Sequence, residues 1–101
     1  MASKKDLQQA VAFMNEKYCK GTKNEFVLSG AYGGYKVELT GKRDKRSSSK
    51  WLKGSIGSGR SDVTYGFSTP TKTLQSLYEE DAKGRLKSKV SYWEKHGRYG
   101  R

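Results

Sequence analysis

The apolar residues of the N-terminal segment recur every three or four positions, which is the period of one helix face. They are Leu7, Ala10, Val11, Met14 and Tyr18. Ser3 and Asp6 have the spacing of a capping box, and Gly21 is a natural residue at which to end a helix. The pattern therefore predicts an amphipathic helix over residues 3–19.

Residues 25–40 alternate with a period of two instead, as β-strands do. The first predicted arm spans residues 25–32 and the second spans residues 35–40, with Gly33 and Gly34 as a two-residue turn between them. Phe26, Leu28 and Tyr32 would share one face of the first arm, and Tyr35, Val37 and Leu39 would share one face of the second. This stretch is interpreted as an antiparallel hairpin.

A second, weaker β pattern follows a loop that has no apolar residue, at residues 41–50. Trp51, Leu52 and Ile56 form the first predicted strand, residues 57–59 the turn, and residues 62–67 the second strand. Val63, Tyr65 and Phe67 would share one face of that second strand. We expect the two strands to pair as a second hairpin.

Residues 69–94 have a helical pattern that begins at Thr69 and Pro70, a cap and a first-turn proline. The apolar face of Leu74, Leu77, Tyr78 and Ala82 is followed by a rotated one of Leu86, Val90 and Trp93. Because Gly84 lies between the two faces, either the helix bends there or a second helix begins. Residues 85–93 also alternate like a strand, but the spacing of Leu86 and Val90 favours a helix.

The order of these elements predicts an α+β fold of the form α-β-β-β-β-α: an N-terminal helix, two antiparallel β-hairpins forming one small sheet, and a C-terminal helix. Residues 1–94 would form a single domain, with a mobile basic loop at 41–50 and a flexible basic tail at 95–101. The helices would cover one sheet face. The core residues expected are Leu7, Val11, Met14, Leu74, Leu77 and Tyr78 from the helices, and Phe26, Leu28, Val37, Leu39, Val63 and Phe67 from the sheet.

Composition excludes several classes of function for this chain of 101 residues. No apolar run is long enough for a membrane span or a secretory signal, and one cysteine favours a reduced, cytoplasmic protein. Cys19 and His96 are too few ligands for a structural zinc site, so no metal and no cofactor are expected. Cys19 is expected to be a buried thiol. We therefore predict neither an enzyme nor a small-molecule substrate.

The net charge of +11 is concentrated in two segments. Residues 41–60 contain seven basic and one acidic side chain, and residues 81–101 contain seven basic and two acidic ones. Such crowding destabilises a compact chain by self-repulsion, which a polyanion relieves. Aromatic residues interleave with these charges and could stack on bases, as in proteins that bind single strands.

These segments are interpreted as a nucleic-acid interface with little sequence readout. A solvated surface and a site for an acidic protein surface are the alternatives. The predicted contact residues are Lys42, Arg43, Lys45, Arg46, Lys50, Lys53, Arg60, Lys87, Lys89, Arg98, Tyr99 and Arg101.

One sequence motif is similar to a motif in a known group of small proteins. The run Leu28-Ser29-Gly30-Ala31-Tyr32-Gly33-Gly34, followed by Ser61-Asp62-Val63 and a closing helix, resembles small bacteriophage and prophage proteins of unassigned function. The resemblance covers about residues 26–80, and the basic loop and C-terminal extension depart from it. It implies the α-β-β-β-β-α order and a setting in the host cytoplasm. It also raises two further hypotheses: an inhibitor of a host enzyme or defence complex, and a virion or DNA-packaging accessory.

Overall fold

The computed structural model of the protein describes residues 2–31, 34–43, 51–52, 55–56, 62–63 and 68–97. In chain order the elements are α1 (Lys4–Met14), a π-helix (Asn15–Cys19), β1 (Asn24–Ala31), β2 (Gly34–Gly41), β3 (Asp62–Val63), α2 (Pro70–Ala82) and α3 (Arg85–His96). The α+β class and the antiparallel sheet are confirmed. The predicted α-β-β-β-β-α order is wrong, because the described residues form three strands and two C-terminal helices.

The N-terminal helix begins as its sequence predicts and ends differently. The hydroxyl of Ser3 accepts a hydrogen bond from the Asp6 amide, and the Asp6 carboxylate accepts one from the Ser3 amide at 2.8 Å, completing the capping box. The α-helix ends at Met14 and widens into the π-helix, which the periodicity did not indicate. Here the Asn15 carboxamide pairs with both backbone groups of Phe26: Nδ2 donates to the carbonyl at 2.9 Å and Oδ1 accepts from the amide at 2.6 Å.

The first hairpin is confirmed, with its turn one residue earlier than predicted. β1 and β2 pair antiparallel from Asn24 opposite Gly41 to Ala31 opposite Gly34. Gly34 therefore belongs to β2, and the connecting residues are 32 and 33, which lie outside the described residues. The register places Phe26 opposite Leu39 on the inner face, where both side chains are buried.

The described residues do not show the pairing predicted for the second hairpin. β3 pairs with β2, with Val63 opposite Glu38, and Trp51 pairs with Arg43 at the end of β2. The segment around Ser55 instead packs against β2, because Gly41 leaves room for it: a Cβ there would lie 2.6 Å from the Ser55 hydroxyl. Residues 57–61 and 64–67 of the predicted hairpin lie outside the described residues.

The C-terminal region consists of two helices, which was one of the two predicted alternatives, and not a strand over residues 85–93. Gly84 separates the helices with a φ of 76°, the left-handed region that favours glycine. The turn restarts the helical phase, so Leu86 and Val90 face the core despite their rotated position in the sequence. Tyr78 was predicted in the core, but its side chain is 48% exposed.

The core lies between the inner sheet face and the helices, and α3 closes one end of it. α1 and α2 run side by side: the Ala2 amide donates to the Thr71 hydroxyl at one end, and Tyr18 donates to Asp81 at the other. The buried cluster contains Ala10, Val11, Met14, Cys19, Phe26, Val37, Leu39, Leu77, Leu86 and Val90, with Tyr18, Leu28, Leu74 and Trp93 packed against it. The side chains of Val63 and Phe67, also expected here, lie outside the described residues.

Candidate nucleic-acid interface

Two basic segments that are far apart in the sequence meet at one end of the domain. The Lys23 amide donates to the Glu94 carboxylate of α3 at 2.7 Å, and the Lys23 carbonyl accepts from the Lys42 amide at 2.9 Å. Lys23 thus joins the end of β2 to the last turn of α3. We call this region, with Lys23, Lys42, Arg43 and Lys95, the basic end.

Asn24 reinforces the junction from inside the protein, where it is fully buried. Its Nδ2 donates to the same Glu94 carboxylate at 2.8 Å, and its Oδ1 accepts from the Ile56 amide at 2.8 Å. Because a buried carboxamide needs partners for both ends, these bonds fix β1, α3 and residues 55–56 relative to one another. The junction between β1 and α3 is therefore held by Asn24 as well as by the Lys23 backbone.

The exposed face of α3 is cationic because its one carboxylate is occupied elsewhere. Among residues 85–96 four side chains are basic and only Glu94 is acidic. Glu94 accepts the bonds from Lys23 and Asn24, so it points toward β1 and away from this face. The exposed residues of the helix are Arg85, Lys87, Ser88, Ser91, Tyr92, Lys95 and His96.

The second part of the basic end is the Arg43–Trp51 pair. The Arg43 guanidinium lies 4.8 Å from the centre of the Trp51 ring, a distance typical of a cation–π contact. The two residues also form an isolated β-bridge, and the Leu52 amide donates to the Lys42 carbonyl at 2.8 Å. The backbone thus fixes an aromatic ring beside a cation at the point where the loop of residues 44–50 joins the domain.

Lys42 has a more structural position than the sequence predicted. Its side chain is only partly exposed, and its ammonium donates to the Cys19 carbonyl at 3.0 Å, at the end of the π-helix. That carbonyl also accepts from the Thr22 amide and hydroxyl. Lys42 therefore closes the end of the π-helix, while still contributing its charge to the basic end.

The structure describes four of the predicted contact residues. Lys42 and Arg43 lie at the end of β2, and Lys87 and Lys89 lie on α3, with Lys87 exposed and Lys89 half-buried. The other predicted contact residues lie outside the described residues: Lys45, Arg46, Lys50, Lys53, Arg60, Arg98, Tyr99 and Arg101.

Two further cations, Lys23 and Lys95, were not among the predicted contact residues. Lys95 was assigned to the tail, but α3 continues to His96. Its spacing of four residues from Ser91 and eight from Lys87 was the signal, since such positions share one helix face. Lys23 had no such signal, because its position depends on a bond to a residue 71 positions away.

Two carboxylates at the C-terminal end of α2 are already paired. Asp81 accepts from the Tyr18 hydroxyl and lies 3.4 Å from the Lys17 ammonium, and Glu80 lies 3.2 Å from Arg85. The bond to Asp81 raises the pKa of the Tyr18 phenol above its usual value of 10.0, with burial as the second cause. These pairs partly neutralise the negative charge of α2.

Other chemistry is limited within the described residues. No three histidine, cysteine, aspartate or glutamate side chains there come together in a way that could hold a metal ion. The Cys19 thiol is buried, as the sequence predicted, and burial raises its pKa from 9.0 to about 11. None of the described helices combines the length and the apolar character that crossing a membrane would require.

Comparison of the chain with protein-family models, with curated protein sequences and with solved structures gave no match.

Proposed function

We propose that the protein binds nucleic acid through the basic end, mainly by contacts with phosphates. The observation that supports this is the junction of Lys42, Lys23 and Glu94, which brings two cationic segments of the sequence onto one surface. A surface that only kept the protein in solution would gain nothing from this concentration, because crowded like charges repel one another. A polyphosphate backbone offsets the repulsion and releases its counterions on binding.

The loop of residues 44–50 and the tail of residues 98–101 strengthen the proposal through their sequence. Both join the domain at the basic end, through Arg43 and Trp51 for the loop and through Gly97 for the tail. Together they contain five basic residues, Lys45, Arg46, Lys50, Arg98 and Arg101, against one acidic residue, Asp44. The sequence therefore adds positive charge directly after both points of attachment.

The proposal is tested by measuring affinity for a short labelled oligonucleotide as a function of salt. Wild type should lose affinity steeply between about 50 and about 200 mM salt, with a linear log–log dependence. The double variant Lys87→Gln/Lys95→Gln should reduce the slope by about 1.5, since each lost phosphate contact removes roughly 0.7–0.9.

Lys4 and Lys5 provide a matched control. Both are exposed and lie at the start of α1, about 20 Å along the helix from the Cys19 carbonyl that Lys42 contacts. Lys4→Gln/Lys5→Gln removes the same charge and should leave the slope nearly unchanged. If the two double variants behave alike, or if salt has no effect on affinity, binding through the basic end is refuted.

A second candidate function, binding to a host protein, is favoured by a separate surface. Phe13 of α1 and Tyr78 of α2, on two helices that run side by side, are 55% and 48% exposed. Tyr78 also lines a groove of about 460 Å3 with Leu74 and Ala82. A pull-down from nuclease-treated host lysate tests this function: a protein captured by wild type and lost with Phe13→Ser/Tyr78→Ser supports it, and loss of all capture on nuclease treatment opposes it.

A further inference from the structure

A groove of about 450 Å3 opens beside the Arg43–Trp51 pair, where the hairpin meets the basic end. Its described lining includes Glu25 and Val27 of β1 and Thr40 of β2, together with Arg43 and Trp51. The volume is in the range of small-molecule sites, roughly 300–1,000 Å3, so one nucleobase has room to enter.

Arg43 and Trp51 give the groove a surface for stacking. Bases stack on tryptophan rings and on guanidinium planes, and here the guanidinium lies over the Trp51 ring, 4.8 Å from its centre, so a base can continue that stack. Val27 adds apolar lining. A base inside a duplex is already stacked on both faces, so only an unpaired base can use this surface.

The polar groups of the groove point to one kind of base. Glu25 and Thr40 are directly opposite each other in the β1–β2 register, and both line the groove. Within the described part of the chain, the Glu25 carboxylate takes part in no hydrogen bond or ion pair. An ionised carboxylate only accepts hydrogen bonds, and it can take two parallel ones.

Guanine is the base whose pairing edge offers two adjacent donors, the ring N1–H and the exocyclic amino group. Cytosine and adenine place an acceptor nitrogen beside their amino group, and that nitrogen would face the carboxylate unfavourably. Lys42 and Arg43 follow at the end of the same strand, so the phosphates flanking a bound base would meet positive charge.

We infer that this groove binds an unpaired guanine of a single strand, stacked on Trp51 and Arg43 and held by Glu25. The inference rests on the proposed function and narrows it, from nucleic acid in general to single strands that contain guanine.

The test uses the full chain and three oligouridine probes that differ only at a central position: guanine, inosine or adenine. Inosine retains the ring N–H and lacks the amino group, so it isolates one of the two hydrogen bonds to the carboxylate. Wild type should bind the guanine probe about tenfold more tightly than the adenine probe, with the inosine probe between them. Glu25→Gln should make the three affinities nearly equal.

Glu16→Gln is the control for charge, because it also removes one carboxylate, from a side chain that is 70% exposed and paired with Lys20. It should preserve the order of the three probes. Trp51→Leu should weaken binding of the guanine probe about tenfold, whereas Trp51→Phe should retain most of the affinity. Thermal unfolding of each variant checks that the domain is folded. If the leucine variant unfolds, Trp51→Phe replaces it in the test, because it keeps a ring against Gly41.

Equal affinity of wild type for all three probes, with a steep salt dependence, would overturn the guanine site and leave the proposed function standing. An unchanged preference in Glu25→Gln would also overturn it. Absence of binding to every probe and to a duplex at low salt would instead overturn the proposed function itself.

Discussion

At the scale of single residues, Asn15 shows how one side chain connects the first helix to the sheet. β1 is at the edge of the described sheet, and the backbone groups of Phe26 on the side away from β2 would otherwise have no strand to pair with. The Asn15 carboxamide supplies a donor and an acceptor in place of that strand. The change from α-helix to π-helix begins at this residue, which places its side chain against β1.

Asn15→Ala should therefore lower the free energy of unfolding by about 2 kcal/mol, because it leaves an amide and a carbonyl of a buried residue without partners. Urea denaturation monitored by circular dichroism measures this loss. Gln9→Ala, at an exposed position of α1, is the control and should change stability by less than about 0.5 kcal/mol. A loss in Asn15→Ala no larger than in the control would mean that Asn15 does not hold the edge of β1.

Cys19 provides a second residue-scale prediction, which concerns reactivity. Burial raises its pKa from 9.0 to about 11, and because the thiolate is the reactive form, the native thiol should react slowly at neutral pH. At pH 8 alkylation by iodoacetamide should be about a hundredfold slower than in the urea-unfolded chain, a factor that follows from the two-unit shift. The rate should rise only as the pH approaches 11.

The same shift has a consequence for stability. The folded pKa is above the unfolded one, so the contribution of the thiol to stability is complete below pH 9 and is lost as the pH rises toward 11. Native and unfolded chains that react at equal rates at pH 8 would contradict the burial of this thiol.

At the scale of elements, sequence periodicity correctly predicted which face of a helix or strand is buried where local packing determines it. The face of α1 with Leu7, Val11 and Met14 is buried as expected, and the alternation of β1 and β2 gave the hairpin and its inner face. Each of these elements has its own amphipathic pattern, which its neighbours do not override. Tyr78 was wrongly assigned to the core. The apolar face of α2 that includes it is wider than the part of the helix that the core covers, so its side chain stays exposed.

The pairing predicted for the second hairpin is not seen among the described residues, for a physical reason of the opposite kind. Neighbouring strands usually pair, so residues 51–56 and 62–67 were assigned to each other. In the structure residues 62–63 and residue 51 each pair with β2 or its extension instead, through only a few residues. Such short pairings leave no periodic signal, and Gly41, which makes room for Ser55, was not distinguishable from other glycines.

The turn between α2 and α3 carries the element-scale prediction. Gly84 has a φ of 76° and no atom within 4 Å of the position where a Cβ would be, so the cost of replacing it is conformational and not steric. Gly84→Ala should lower the free energy of unfolding by about 1 kcal/mol. Gly84→Asn is the control and should cost less, because asparagine tolerates the left-handed region better than alanine does. If urea denaturation gives equal losses of unfolding free energy for the two variants, the conformational origin of the cost is contradicted.

At the scale of the whole molecule, the charge can be counted from the sequence, but its arrangement in space cannot be predicted from it. Counting charges identified the two cationic segments, and both were expected to flank the domain. Their meeting depends on bonds across 70 and 71 residues, from Asn24 and Lys23 to Glu94, which no local pattern encodes. The tertiary structure was therefore needed to reveal the junction, whereas the lysines and arginines themselves were identified from the sequence.

This arrangement predicts how stability depends on charge. With a net charge of +11, the folded state is destabilised by repulsion that salt screens. The melting temperature should rise as salt is added from low ionic strength.

At low salt, Lys87→Gln/Lys95→Gln should melt about 1–2 °C above wild type, and Lys4→Gln/Lys5→Gln should gain less, because it removes charge from the less crowded end. The gain of the first double variant should disappear at high salt, where the repulsion is already screened. Differential scanning calorimetry of the three proteins at two ionic strengths measures this, and a gain that persists at high salt would show that helix propensity, not repulsion, separates the variants.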